Sequence, residues 1–143
     1  MKMYHHIPKI EGYTRKQIIS FLRIKLLTNR DWRIRALNML FNLQTEPEKY
    51  DYITKEDNGI GFTKIDSLKL NTIVRKIQRK KEISIDDEKY LKIKIPRYAA
   101  QIARFSNKTK LKEALDNYFD YLKKDETNLF KPNNRKIKEA MAT

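Results

Sequence analysis

The stretch Arg30-Asp31-Trp32-Arg33-Ile34-Arg35-Ala36-Leu37-Asn38-Met39-Leu40-Phe41-Asn42-Leu43-Gln44 decides the fold class. Wound at about 100° per residue, Trp32, Ala36, Leu37, Leu40, Phe41 and Leu43 cover more than half of the circumference. Arg35, Asn38 and Asn42 are left as one narrow polar stripe. A helix this apolar belongs at the centre of a bundle, touched on several sides, with Trp32, Leu37, Leu40 and Phe41 buried. Arg33 falls on the apolar side near the helix start, where it can snorkel outward or meet a carboxylate.

The flanking sequence extends the same reading. Thr14 is an N-cap for a first helix to about Leu27, striped by Ile18, Ile19, Leu22 and Leu26. Thr63 caps a third helix to about Lys81, with Asp66 in capping-box position and Leu70, Ile73, Val74 and Ile77 on one face. Ser84-Ile85-Asp86-Asp87 opens a fourth, its acids suiting the helix dipole, and Pro96 ends or kinks it. A short fifth follows from Arg97 to Phe105. A sixth runs from about Thr109 to Lys124, with Leu111, Ala114, Leu115, Tyr118, Phe119 and Leu122 at helical spacing. Three Gly and four Pro in 143 residues leave too few turns for an all-β protein. The expectation is an all-α fold: a single bundle of five or six helices at 14–125, an irregular arm at 1–13 and a basic tail at 126–143.

Composition narrows the function classes. Lys and Arg number 32 against 18 Asp and Glu, a formal charge of +14. Such an excess costs self-repulsion and concentrates anions, nucleic acid above all. The alternative is a solvated surface. With no cysteine, thiol catalysis, disulfides and Cys-ligated zinc or iron–sulfur sites are excluded. Neither a signal peptide nor a run of about 20 apolar residues is visible, so the expectation is a cytoplasmic protein with no membrane partner.

The strongest candidate site is Arg75-Lys76-Ile77-Gln78-Arg79-Lys80-Lys81, five cations in seven residues. Arg75, Lys76 and Arg79 share a helix face with Lys64, opposite the apolar side, and each can neutralise a phosphate. In the tail, Lys131, Arg135, Lys136 and Lys138 can bind further phosphates. Asn58-Gly59-Ile60-Gly61-Phe62-Thr63 is a candidate anion turn through Asn58, Gly59 and Gly61, because glycines and a helix start present backbone N–H groups. It lacks the ending of a P-loop and the glycine spacing of a KH loop. The competing and favoured reading is a tight turn that lays Ile60 and Phe62 into the core. Tyr50, Tyr52, Phe62 and Tyr98 are candidates for stacking on bases.

Signals for chemistry are weak. His5-His6 has no carboxylate nearby in sequence, so no metal site is assigned. The run Asp86-Asp87-Glu88 is explained by capping, because a metal-dependent nuclease needs carboxylates converging from several elements. No nucleophile set is present. Helices one and two meet tightly around Thr28-Asn29, but the second has too little polar surface to read a groove, so no sequence-specific repressor is assigned. The expectation is a protein that is not an enzyme and needs no cofactor.

A longer pattern spans Asp31 to Phe105: Trp32-x3-Ala36-Leu37, Gln44-Thr45 with Glu48, Asn58-Gly59-Ile60-Gly61-Phe62 with Asp66, then Tyr98-Ala99-x-Gln101-Ile102. In order and spacing it resembles a small uncharacterised helical module of bacteriophages and mobile elements, found alone or attached to helicase-like proteins. The resemblance implies that setting rather than a reaction. Pro47, the Lys-rich third helix and the basic tail are particular to this chain. The leading expectation is therefore a nucleic-acid-binding accessory protein that takes DNA or RNA through phosphates. The alternatives are an anti-CRISPR-like inhibitor that binds a host protein, or a virion component.

Overall fold

The computed structural model describes residues 7–44 and 61–129, and the side chains within them through residue 125. The described residues are helical with no strand, as the periodicity requires. The helices are α1 (Arg15–Thr28), α2 (Arg30–Asn42), α3 (Lys64–Gln78), α4 (Ile85–Lys94), a 3-10 turn (Ile95–Tyr98), α5 (Ala99–Phe105) and α6 (Lys108–Leu129). The chain divides into two units between Ser106 and Asn107. The sixth helix, expected inside one bundle, thus falls in the second unit.

Local chemistry accounts for most of the helix borders in the first unit. Thr14 accepts from the Gln17 N–H at 3.1 Å while Gln17 Oε1 accepts from the Thr14 N–H at 2.8 Å, a complete capping box. Asn29 ends α1 by donating its N–H to the Lys25 carbonyl at 2.8 Å and starts α2 by accepting from the Trp32 N–H at 3.2 Å. One residue therefore closes one helix and opens the next. Ser84 caps α4 through the Asp87 N–H at 3.0 Å. The fourth helix ends before Pro96, as expected: α4 stops at Lys94, and Pro96 lies in the first turn of the 3-10 segment, where its missing N–H has no partner to lose. The predicted fifth helix accordingly divides into that turn and α5.

Helix α2 packs against α1, α3, α5 and the 3-10 turn, as its wide apolar face demands. Leu37, Leu40 and Phe41 are buried together with Phe21, Leu22 and Leu26 of α1 and Leu70, Ile73 and Val74 of α3. Trp32 departs from expectation. It is only half-buried, set edge-on against Phe21 at 5.8 Å with the Lys25 ammonium 5.7 Å from its ring. Arg33 does not snorkel outward and meets no carboxylate among the described residues. It is buried, and its guanidinium donates to the Leu26 and Leu27 carbonyls at 2.9 Å each, closing the end of α1. Ile10 is also buried, so the end of the N-terminal arm belongs to the core.

In the second unit, Asn107 accepts from the Lys110 N–H at 3.0 Å at the start of α6. The helix continues to Leu129, past the end expected near Lys124. Leu111 and Leu115 are its buried positions, and Tyr118 stands edge-on to Phe119 at 5.2 Å.

Candidate nucleic-acid interface

Helix α3 carries the predicted cations, and the interior packing decides which of them face solvent unengaged. Asp87, at the first turn of α4, is 1% exposed and receives Lys69 Nζ and Lys76 Nζ at 2.9 Å each. The hydrogen bond from Lys76, joined by Lys69, outweighs burial and holds the carboxyl at about 2. Lys76, read in the sequence as a phosphate contact, thus also ties α3 to α4 through Asp87, while its side chain stays 39% exposed. Lys69, which the charge run does not include, has the same task.

Arg75 is also engaged. Its guanidinium lies 5.2 Å from the centre of the buried Phe41 ring, and it donates to Gln78 Oε1 at 3.2 Å. It therefore touches the core and is not simply opposite to it. Lys64, Arg79, Lys80 and Lys81 are exposed and have no carboxylate partner among the described residues.

The end of α3 shapes the last three of these. Lys80 N donates to Ile77 O at 3.0 Å and Lys81 N to Lys76 O at 2.9 Å. That is a Schellman closure, and it places Lys80 at φ 56°, the left-handed position where glycine is usual. Three consecutive cations are thereby fanned around the helix end. Lys80 and Lys81 line an open recess of about 360 Å³ together with Arg30, Glu82 and Glu88 among others. Arg30 is held by Glu88 at 2.8 Å.

The candidate anion turn is not one at Gly61. That residue is buried, its N–H donates to Gln101 Oε1, and its carbonyl accepts from Gln101 Nε2 at 3.2 Å. With the amide taken, no donor remains for a ligand. At φ +81°, a Cβ there would stand 2.7 Å from Gln44 Cγ, so the glycine is required by backbone and packing alike. Phe62 is buried, edge-on to Tyr98 at 6.3 Å, which removes both rings from base stacking. Asn58, Gly59, Tyr50, Tyr52, His5, His6, Lys131, Arg135, Lys136 and Lys138 lie outside the described residues.

The expected capping box at Thr63 does not form. Thr63 donates its hydroxyl to Asp66 Oδ2 at 3.2 Å, and its N–H donates to Tyr98 Oη at 3.1 Å. Asp66 is drawn inward: Tyr98 donates to it at 2.7 Å, Tyr90 at 3.2 Å, and Lys94 lies at 3.4 Å. Burial pushes the Asp66 carboxyl up, but the Tyr98 hydrogen bond and the Lys94 charge outweigh it and leave it below its usual value. Burial and the neighbouring carboxylate push Tyr90 up to about 12, and Tyr98 also rises. Gln44 Nε2 donates to Asn71 Oδ1 at 2.9 Å nearby.

Gln44, Gly61, Phe62, Asp66, Tyr98 and Gln101, all part of the motif read in the sequence, therefore meet in one interior clasp. It joins the end of α2 and the start of α3 to the 3-10 turn and α5. Elsewhere in the described residues, no group of three His, Cys, Asp or Glu side chains is placed to hold a metal. No described helix is long and apolar enough to cross a membrane. No family model, curated protein or solved structure matches this chain.

Proposed function

We propose that this protein binds nucleic acid without catalysis, as an accessory factor in the phage or mobile-element setting that its motif order resembles. The observation that carries the reading is the row of exposed cations Arg79, Lys80 and Lys81 at the end of α3, with Lys64 at its other end, none with a carboxylate partner among the described residues. Cations fixed on a rigid element neutralise phosphates and release counterions. They read charge and spacing rather than base edges, so the binding carries little sequence preference. The nearby acids support a non-catalytic role: Asp87 holds two lysines and Glu88 holds Arg30.

A salt titration on random duplex and single-stranded oligonucleotides tests this. Dissociation constants near 10⁻⁴–10⁻⁶ M are expected at about 0.15 M salt. Changing Arg79 and Lys80 to Glu spares Phe41, which reversal of Arg75 would disturb. The double change should weaken binding on all sequences. It should also flatten the log–log salt slope by roughly 0.9 for each duplex phosphate that is no longer neutralised. No binding at that salt, or binding unchanged in the double variant, overturns the proposal.

A further inference from the structure

The solvent face of α3 holds a second feature that phosphate binding does not use. Ile65 is 88% exposed and Leu68 is 64% exposed, although aliphatic side chains of this size are normally buried. They are not scattered. Ile65, Leu68 and Thr72 follow the three-then-four spacing of a coiled-coil seam, positions a, d and a. In that register Lys69 and Lys76 occupy e, and Lys64 occupies g. Lysine thus flanks the seam along its e side and, through Lys64, at the start of its g side; the next g position is the buried Asn71.

Asp87 gives this arrangement its rigidity. It holds Lys69 and Lys76 from beneath, at 2.9 Å each, yet both lysine side chains remain substantially exposed. An ammonium has three donors, so each lysine can keep its bond to Asp87 and offer others outward. Both e-position charges are therefore fixed in place before any partner arrives, which lowers the ordering cost of binding.

We infer that this face of α3 docks an acidic amphipathic helix of a partner protein, with an apolar seam on Ile65 and Leu68 and glutamates against Lys64, Lys69 and Lys76. The charge pattern selects the occupant. A second copy of the chain would set lysines against lysines at e and g, which disfavours self-pairing. Glutamates at those positions meet opposite charge on both flanks. The inference shares Lys64 with the proposed phosphate contacts but otherwise rests on side chains apart from the Arg79–Lys81 row, so the Ile65 and Leu68 readout tests it separately from nucleic-acid binding.

The probe is a labelled synthetic helix of about three heptads with Leu at a and d and Glu at e and g, read by fluorescence anisotropy against the full chain. The control has the same seam with Lys at e and g. The acidic helix should bind, and the basic one should not. Ile65→Asp with Leu68→Asp should weaken binding by at least about tenfold, and Lys64→Glu should weaken it less. Both aliphatic positions are exposed, so circular dichroism should be unchanged in the variant. Four results overturn the inference: no binding up to about 1 mM acidic helix, equal binding of both helices, equal binding to the double variant, or a self-association that the double variant abolishes. Loss of oligonucleotide binding in the Ile65/Leu68 variant, with the acidic helix not bound, assigns the face to nucleic acid and overturns it as well.

Discussion

Lys80 stands where a helix most often ends on glycine, with its backbone in the left-handed region. A side chain there costs roughly 1–2 kcal/mol, of which glycine recovers only part because it also loosens the unfolded chain. Lys80→Gly should therefore raise stability by at most about 1 kcal/mol in a urea titration. The same change should weaken oligonucleotide binding, because it removes one exposed cation. A variant that gains stability and keeps full affinity would exclude Lys80 from the interface. Gly61 presents the opposite case. Its positive φ, the 2.7 Å that would separate an added Cβ from Gln44 Cγ, and the Gln101 bonds all require glycine. Gly61→Ala should cost at least about 1–2 kcal/mol and slow no binding step directly, since the Gly61 amide faces Gln101 and not a ligand.

At the scale of elements, α3 and α4 are tied by one buried carboxylate. Asp87 has a folded-state value of about 2 against an ordinary 3.8. Because the folded value is depressed, this stabilisation is fully present above pH 4 and is lost as pH falls through the interval from about 4 to 2. The lysines are partly solvated, so the contribution is discounted to about 1–2 kcal/mol. Asp87→Asn should lower stability at neutral pH by that amount and flatten the acid limb of a stability–pH curve. An unchanged acid limb would show that the pairing contributes nothing. In the core of α2, Leu40→Ala should cost about 2–5 kcal/mol, since the side chain is fully buried. The helices themselves are legible in the sequence because their signals are local: Thr14, Asn29 and Ser84 act on residues three positions away, and the apolar stripes repeat within a turn or two. The clasp is not legible as an arrangement. Gln101 on Gly61 and Tyr98 on Asp66 join residues far apart in the chain, and no periodicity encodes which buried polar groups meet. For the same reason helical phase puts Lys76 on the outer face but cannot reveal Asp87, which arrives from another helix. The unengaged cations at Lys64, Arg79 and Lys80 are visible as charge; Lys69 and the seam of Ile65 and Leu68 are not, because exposure is a property of packing.

On the whole-molecule scale the charge of +14 acts twice, with opposite responses to salt. Repulsion among like charges destabilises the folded chain and is screened as ionic strength rises. Phosphate binding weakens as ionic strength rises, because counterion release then gains less. Between about 0.02 and 0.3 M salt, the thermal midpoint of the free protein should climb while affinity for duplex DNA falls. The C-terminal residues 130–143 sharpen the test, since they hold Lys131, Arg135, Lys136 and Lys138 against the single acid Glu139. A chain ending at Leu129 keeps every helix from α1 to α6. It should lose oligonucleotide affinity, and up to roughly 0.9 of log–log slope for each phosphate those residues neutralise. Its midpoint should rise slightly at low salt, because the cut removes net positive charge. If the truncated chain keeps the full slope, phosphate binding belongs to the helical portion, and the Arg79–Lys81 row of α3 must account for it. If it loses slope and melts early, those residues carry structure as well as charge, and their assignment as a binding tail is wrong.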